Sequence, residues 1–317
     1  MQTHPAKRHL TPRDTEILAA LDSCPLTVRQ LLKLSQTFRV QPFASSRNVQ
    51  DRLQKLCAAG WVRRWMYATA SRGGSPAYYK LTLLGYRLLH GASVLPPTRR
   101  YFNEVGIAHQ HHTYSLAEFI VHTSVAANRL GIAMKNFRQE NSLRLQIGQE
   151  HAFPDCAFEL CTPDKQQFNF LVELDNGTER VRSEKDIDSW QRKVRLYEQL
   201  QDQRYPYRFR VLVVTTRSRD RMEHILAVAA EHARNPRRSL LYAAHLDDYL
   251  LQADSIRGPC FRDHCGRLVA IIPAAMPTSR QLSSPNRTGS GNLFPLPVAT
   301  HLSSREPRSS GLPSPIS

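Results

Sequence analysis

Apolar residues recur three or four positions apart in three stretches near the start of the chain, so each stretch predicts a helix with one apolar face. The apolar positions are Ile17, Leu18 and Leu21, then Val28, Leu31, Leu32 and Leu34, then Val49, Leu53, Leu56 and Cys57. A residue typical of a helix N-cap precedes each stretch, namely Thr11, Thr27, and Ser45 or Ser46. Gly60 follows the third stretch as a predicted C-cap.

The pattern changes after Gly60 to one that is typical of two short strands. Residues 61–65 and 77–81 are rich in aromatic side chains, and the Gly-rich residues 71–76 separate them. A further helix is predicted over residues 82–89, and Pro96-Pro97 marks a boundary. Three helices followed by a two-stranded wing is the order of a winged helix-turn-helix, which we predict for residues 10–95.

The longer middle part of the chain alternates between helical and strand patterns. Helices are predicted over about 109–128, 179–203 and 220–234, and extended segments over about 133–145, 152–160, 168–174, 209–214 and 240–243. This order predicts a mixed α/β fold class for residues 101–272, with helices packed around a mixed sheet. Residues 273–317 are rich in Pro and Ser without any period, which predicts a disordered tail.

Basic residues are concentrated in the first third of the chain. The net charge is +16, and residues 1–100 hold 16 Lys and Arg against 4 Asp and Glu. Residues 101–273 are almost neutral, with 23 basic and 22 acidic side chains. We therefore expect double-stranded DNA as the partner of the predicted winged helix. With no membrane-spanning run, no secretory signal and six irregularly spaced Cys, we expect a cytoplasmic protein.

The third helix is the predicted DNA-recognition helix. Its polar face carries side chains that can reach base edges, and the wing carries cations that can neutralise phosphates. The predicted DNA-binding residues are Arg47, Asn48, Gln50 and Arg52 on the helix and Arg63, Arg64, Arg72 and Lys80 on or beside the wing. Two alternatives remain: these side chains are only solvated, or the winged helix binds a protein partner.

Three acids lie where two predicted strands meet. Pro154-Asp155 begins one strand, and Glu173 and Asp175 end the next, two positions apart and hence on one face. Such a group of carboxylates can bind Mg²⁺, which activates water and stabilises charge on a phosphodiester. The alternative is that these carboxylates are solvated ends of strands.

Several strings together resemble the replication-relaxation family of plasmid and mobile-element proteins, and more broadly the restriction-endonuclease-like PD-(D/E)xK superfamily. They are Ala59-Gly60-Trp61-Val62, Tyr78-Tyr79-Lys80-Leu81-Thr82, His109, Pro154-Asp155, Val172-Glu173-Leu174-Asp175-Asn176-Gly177-Thr178-Glu179, Lys193 and Tyr197. The resemblance implies an αβββαβ nuclease-like core after the winged helix. It also implies a part in replication or mobilisation of DNA.

The resemblance also implies roles for particular residues. Asp155 and Glu173 match the metal-binding acids, with Mg²⁺ as the hypothetical metal, and Glu118 matches an additional acid on the first helix of the core. Asp175 occupies the position of the catalytic Lys, so Lys193 from the following helix is the candidate replacement and Lys185 the second choice. These five residues, Glu118, Asp155, Glu173, Asp175 and Lys193, are the predicted catalytic set.

Three classes of function remain open. The first is a metal-dependent DNA endonuclease of replication or mobilisation. The second is a non-catalytic transcription or replication regulator with a degenerate nuclease-like domain, and the third is a protein-interaction adaptor. A homodimer and replication or mobilisation proteins are further candidate partners. His109, His111 and His112 do not share one helix face, and Cys260 and Cys265 lack a second pair, so neither group predicts a metal site.

Overall fold

The computed structural model describes residues 10–68, 75–140, 142–183, 185, 189–203, 207–235 and 237–273. Residues 71–74 of the predicted wing turn, with Arg72, and the predicted tail from residue 274 onward lie outside the described residues. The described helices are α1 (Pro12–Ser23), α2 (Val28–Leu34), α3 (Ser46–Ala58), α4 (Leu83–His90), α5 (Ile107–Arg129), α6 (Trp190–Gln203), α7 (Arg219–His232) and α8 (Leu246–Leu251). Short 3₁₀ turns cover Ser35–Thr37 and Arg99–Phe102.

Twelve strands alternate with these helices in the described part of the chain. They are β1 (Leu26–Thr27), β2 (Val62–Met66), β3 (Ala77–Leu81), β4 (Ala133–Arg138), β5 (Leu145–Ile147), β6 (Glu150–Ala152), β7 (Cys156–Cys161), β8 (Gln167–Asp175), β9 (Phe209–Thr215), β10 (Leu241–His245), β11 (Phe261–Asp263) and β12 (Leu268–Val269). The mixed α/β fold class is therefore confirmed.

The first helices begin where their capping residues predict. Thr11 and Thr27 each accept a hydrogen bond from the third residue of the following helix, and the side chains of Asp14 and Gln30 bond back to the cap. Ser45 caps α3 by accepting from the backbone N–H of Asn48. The strands β1, β3 and β2 then form a small antiparallel sheet in that order.

The larger sheet has seven strands in the order β12-β11-β10-β9-β8-β7-β4. The pairs β8–β9 and β9–β10 are parallel and the other pairs antiparallel, so the sheet is mixed. One face packs against α5 and α8, and the other packs against α6 and α7. Because side chains alternate along a strand, Val172 and Leu174 of β8 face the α5 side, whereas Leu171 faces α6.

Two predicted segments differ from the structure. The segment over 133–145 is divided: β4 joins the large sheet, whereas β5 pairs with β6 outside it. The helix predicted from 179 begins only at Trp190, and the preceding described residues form bends and irregular backbone. The backbone N–H of Trp190 donates to the carbonyl of Arg180 (3.0 Å), so tertiary hydrogen bonding replaces the first predicted turns.

The described residues up to 273 form one compact unit. Apolar residues of α1 to α4 share a core with α5 and one face of the large sheet. Apolar side chains therefore pack across the boundary predicted at residues 96–100. The division into two domains at that boundary stays a prediction. No helix in the described part of the chain is both long and apolar enough to cross a membrane.

Candidate functional site

The predicted acids lie at the edge of the large sheet where β7 begins and β8 ends. Cys156 pairs with Val172, so the preceding Asp155 lies beside Glu173 on the neighbouring strand. The backbone N–H of Asp155 donates to the carbonyl of Val172 (2.9 Å), and its Oδ2 accepts from the N–H of Leu174 (2.6 Å). These two bonds fix the carboxylate of Asp155 against the end of β8.

Glu173 is buried in a polar cluster with α6. Lys193 Nζ donates to Glu173 Oε2 (2.8 Å) and to Glu179 Oε1 (2.7 Å), and the hydroxyl of Tyr197 donates to Glu173 Oε1. Lys193 is only 14 % exposed. Lys193, the candidate replacement for the catalytic Lys, therefore contacts Glu173. Lys185, the second choice, is exposed.

Burial and charge act together on the pKa values of this cluster. Burial raises the pKa of Glu173 above its ordinary value, although Lys193 opposes that change. Burial also raises the pKa of Glu179. For Lys193, burial lowers the pKa, but the carboxylates of Glu173 and Glu179 outweigh burial and hold the pKa well above its usual range. The two carboxylates thus favour the charged form of Lys193.

Asp175 shares a face of β8 with Glu173 but belongs to a different network. Arg221 of α7 binds both its oxygens at 2.7 Å, and the indole N–H of Trp190 donates to Oδ1 (3.2 Å). The hydroxyl of Thr215 donates to Oδ2 (3.1 Å). Burial raises the pKa of Asp175, but the Arg221 guanidinium outweighs burial and holds it below its ordinary value. The catalytic role predicted for Asp175 does not fit this geometry, because both oxygens are held in the core of the fold.

Glu118 is not brought to the other acids by any described contact. Its Oε1 accepts from the side-chain amide of Gln30 on α2 (2.9 Å). Glu118 lies six positions after His112, which is the α5 residue beside Asp155, so the two side chains lie on different faces of the helix. Glu118 joins α2 to α5, and the role that the resemblance implied for it does not fit this position.

A histidine and an acid that the sequence did not connect lie next to Asp155. His112 Nε2 is 3.1 Å from Asp155 Oδ1, and Glu140, which follows β4, offers a carboxylate oxygen to the same group. Burial lowers the pKa of His112, but the Asp155 carboxylate outweighs burial and raises it overall. Sequence spacing could not reveal this group, because its members come from α5, the residues after β4 and the start of β7.

The Mg²⁺ pair implied by the resemblance, Asp155 and Glu173, does not fit this arrangement of side chains. Lys193 and Tyr197 each donate to one oxygen of Glu173, so a cation shared with Asp155 would lie against the Lys193 ammonium and compete with both donors. Asp155 Oδ1 is instead directed toward His112.

The predicted DNA-binding residues of α3 fall into two groups. Arg47, Asn48 and Gln50 are exposed, while Val49, Leu53 and Leu56 bury the opposite face of the helix. Arg52 is different, since it forms an ion pair with the buried Asp14 of α1 and also donates to the hydroxyl of Thr11 (3.0 Å). We therefore assign Arg52 to the packing of α1 against α3 and not to DNA recognition.

The β2–β3 pair presents some of its predicted cations and holds others in place. Arg63 and Arg64 are exposed on β2. Lys80 is half-buried and its Nζ donates to the carbonyl of Asn103 (2.7 Å). Burial lowers the pKa of Lys80 to about 8. Lys80 is thus a weaker candidate for phosphate contact than the sequence predicted.

Hydrogen bonds connect the β2–β3 pair to the beginning of α5. The N–H of Ala68 donates to the side-chain oxygen of Gln110 (2.5 Å), and the hydroxyl of Tyr78 accepts from the N–H of Val105 (2.9 Å). Gln110 lies two residues before His112. These bonds therefore join the β2–β3 pair, which carries the exposed Arg63 and Arg64, to the helix that places His112 beside Asp155.

Comparison with known proteins gives a single finding. A family model described as replication-relaxation matches residues 22–211. No curated protein matches the chain significantly, and no solved structure does. The matched residues cover more than half of the 317 residues and extend from the end of α1 into β9, so they include Asp155, Glu173 and Lys193. The chain therefore belongs to the replication-relaxation family.

Proposed function

We propose that this protein binds double-stranded DNA through its first hundred residues and acts in the replication or mobilisation of a plasmid or other mobile element. The observation that carries the proposal is the exposed face of α3 together with Arg63 and Arg64 of β2. The helix buries its apolar face and leaves Arg47, Asn48 and Gln50 in solvent. In this proposal the three helices and the antiparallel pair act as a winged helix-turn-helix, whose third helix enters the major groove.

The charge distribution supports the same proposal. The first hundred residues hold 16 basic and 4 acidic side chains. Their positive charge supplies the long-range attraction to phosphate that DNA binding requires. In this proposal Arg47, Asn48 and Gln50 contact bases, while Arg63 and Arg64 contact the backbone. Replication or mobilisation proteins and a second copy of the chain are additional proposed partners.

The test is the salt dependence of affinity for a fluorescein-labelled duplex, measured by anisotropy. We expect a steep decrease in affinity with salt for the native chain. The triple variant Arg47→Ala, Arg63→Ala, Arg64→Ala should bind more weakly, with a slope smaller by up to about 2 because Arg63 and Arg64 each lose a phosphate contact worth roughly 0.9. The control is Arg182→Ala, Arg219→Ala, Arg234→Ala, three exposed arginines in ion pairs on other helices and loops.

Two results would contradict the proposal. One is weak binding with a flat salt slope in the native chain, which would favour a protein-interaction adaptor. The other is an equal loss of affinity in both triple variants, which would show that only net charge matters.

Phosphodiester cleavage is a second candidate function, favoured by one observation. Lys193 reaches Glu173 from α6, and so an ammonium group lies beside an acid of the nuclease-like set, although Asp175 occupies the usual position of that Lys. In this proposal Lys193 stabilises the negative charge that develops on the phosphate. The non-catalytic regulator is the alternative.

Incubation of supercoiled plasmid with the purified protein and Mg²⁺ or Mn²⁺ separates these alternatives. If the site cleaves, relaxed plasmid should appear with the native chain, and Lys193→Met and Asp155→Ala should reduce its rate by at least about a hundredfold without lowering DNA affinity. His111→Gln is the control because His111 is exposed one residue from His112. Unchanged plasmid at protein excess with either metal would favour the regulator.

A further inference from the structure

Three side chains from distant parts of the sequence bring metal-binding atoms together at the acidic edge of the sheet. One nitrogen or oxygen atom from each of His112, Glu140 and Asp155 lies within 4.8 Å of the other two. His112 Nε2 and Asp155 Oδ1 are 3.1 Å apart. Two neighbouring ligands of an ion at about 2.1 Å lie about 3 Å from each other, so the His112–Asp155 separation fits a shared ion.

The ring nitrogen Nε2 of His112 is shielded from solvent and makes no hydrogen bond among the described residues, although Asp155 Oδ1 lies 3.1 Å away. A shielded polar atom without a partner is unfavourable. A bound cation would supply the missing interaction.

Asp155 is held in the orientation that a metal ligand needs. Its Oδ2 accepts the N–H of Leu174, which leaves Oδ1 on the side of His112. A ligating carboxylate is commonly fixed by such a bond to its other oxygen. Glu140 is exposed, so the third ligand reaches the group from the solvent side and leaves it open to water or to an incoming phosphate.

From these observations we propose that His112, Glu140 and Asp155 form a binding site for one divalent transition-metal ion, with Mn²⁺ or Zn²⁺ preferred over Mg²⁺. An imidazole nitrogen favours transition metals, whereas Mg²⁺ prefers oxygen ligands alone. Two carboxylates balance the charge of the ion. The site differs from the Asp155–Glu173 pair that the family resemblance implied, and it depends neither on DNA binding nor on cleavage.

Metal binding can be measured directly with the full, untagged chain after EDTA treatment and removal of the chelator. Titration with Mn²⁺, followed by the electron paramagnetic resonance signal of free Mn²⁺, should give one saturable site per chain that Zn²⁺ displaces. Glu140→Gln and His112→Gln should each weaken binding by at least about tenfold. Pulsed spectra of bound Mn²⁺ should contain coupling to a nitrogen nucleus, and that coupling should disappear in His112→Gln.

Matched controls separate this site from the other His and acidic residues of the chain. His111→Gln and Glu223→Gln change exposed side chains outside the group and should leave Mn²⁺ affinity unchanged. Because Glu140 is exposed, Glu140→Gln tests the site even if His112→Gln does not fold. Absence of saturable binding in the native chain would overturn the proposal and leave His112 and Asp155 as an ion pair. Equal affinity in Glu140→Gln and the native chain would also overturn it.

Discussion

At the scale of single residues, the two acids at the end of β8 show how neighbouring side chains acquire different roles. Glu173 and Asp175 are two positions apart and face the same helical layer, as strand alternation predicts. Glu173 meets the ammonium of Lys193, whereas Asp175 is clamped by Arg221 and by the indole N–H of Trp190. Glu173 therefore stays in the candidate site, while Asp175 stabilises the fold.

The replacement Asp175→Asn should lower the free energy of unfolding by about 3 kcal/mol at pH 7, because it leaves the half-shielded guanidinium of Arg221 without its counter-charge. Urea unfolding followed by circular dichroism measures this change. Asp248→Asn is the matched control, since Asp248 pairs with Arg219 where both side chains are largely exposed, and it should change stability by less than about 1 kcal/mol. Equal effects of the two replacements would contradict the structural role of Asp175.

The same ion pair predicts a pH dependence with a definite sign. The pKa of Asp175 is lower in the folded protein than in the unfolded chain, so its contribution to stability is fully present above the unfolded value of about 3.9. That contribution is lost as the pH falls through the lower, folded value. The difference in stability between the native chain and Asp175→Asn should therefore shrink on acidification below about pH 4, as measured by urea unfolding at a series of pH values. A constant difference would contradict it.

At the scale of elements, α3 carries two arginines with different roles. Arg52 binds the buried Asp14 and joins α3 to α1, whereas Arg47 is exposed and pairs with Asp51 on its own helix. The periodicity of α3 placed both on its polar side. The ion pair with α1 could not be inferred from that periodicity, because Asp14 is 38 positions away in the chain.

Replacing each of these two arginines by Met should separate an effect on stability from an effect on DNA binding. Arg52→Met should lower the free energy of unfolding by about 3 kcal/mol, since it leaves the carboxylate of Asp14 buried without its cation. Arg47→Met should change stability by less than about 0.5 kcal/mol and weaken DNA binding instead. Thermal unfolding and duplex anisotropy on both variants provide the measurements. A loss of stability in Arg47→Met together with a loss of DNA affinity alone in Arg52→Met would refute these two roles.

The packing of α4 against the start of β2 depends on Gly85. A Cβ atom at this position would lie 2.0 Å from the carbonyl oxygen of Trp61, and that oxygen belongs to the backbone, so it has little freedom to move away. Gly85→Ala should therefore destabilise the protein by about 3 kcal/mol in urea unfolding. Gly106→Ala provides the control, because the nearest atom to a Cβ there is 3.9 Å away. A similarly small change in the free energy of unfolding in both variants would show that α4 can move away from the carbonyl of Trp61.

At the scale of the whole molecule, the helices α1 to α4 share one apolar core with α5 and the large sheet. The packing of α2 against α5, the Gln30–Glu118 hydrogen bond and the contact of Tyr67 with Tyr114 all cross from one part to the other. The position of the exposed arginines relative to the acidic edge is consequently fixed by packing and not by a linker.

This shared core predicts a single cooperative unfolding transition. Differential scanning calorimetry of the full chain should give one peak whose calorimetric and van't Hoff enthalpies agree. Residues 1–97 expressed alone should be less stable than the same residues in the full chain, because the apolar surface of α2 would lose its cover on α5. Two well-separated peaks would contradict the prediction and favour independent domains at the boundary expected from the sequence.

The sequence by itself determined the elements and their surfaces. Capping residues and apolar periodicity located α1 to α5, the alternation along β8 placed Glu173 and Asp175 on one face, and the charge distribution located the candidate DNA-binding surface. These features depend on neighbours within a few positions in the chain, where backbone geometry fixes which side chains share a face.

Only the tertiary structure decided which partner each charged side chain has. Arg52 meets Asp14, Lys193 meets Glu173, and His112 meets Glu140 and Asp155. It also decided that α6 begins at Trp190 and not near Glu179, because a hydrogen bond from Trp190 to Arg180 replaces helical turns. The physical reason is the same in each case: burial makes an unpaired charge or backbone group costly, and its partner is supplied by an element that is distant in the sequence.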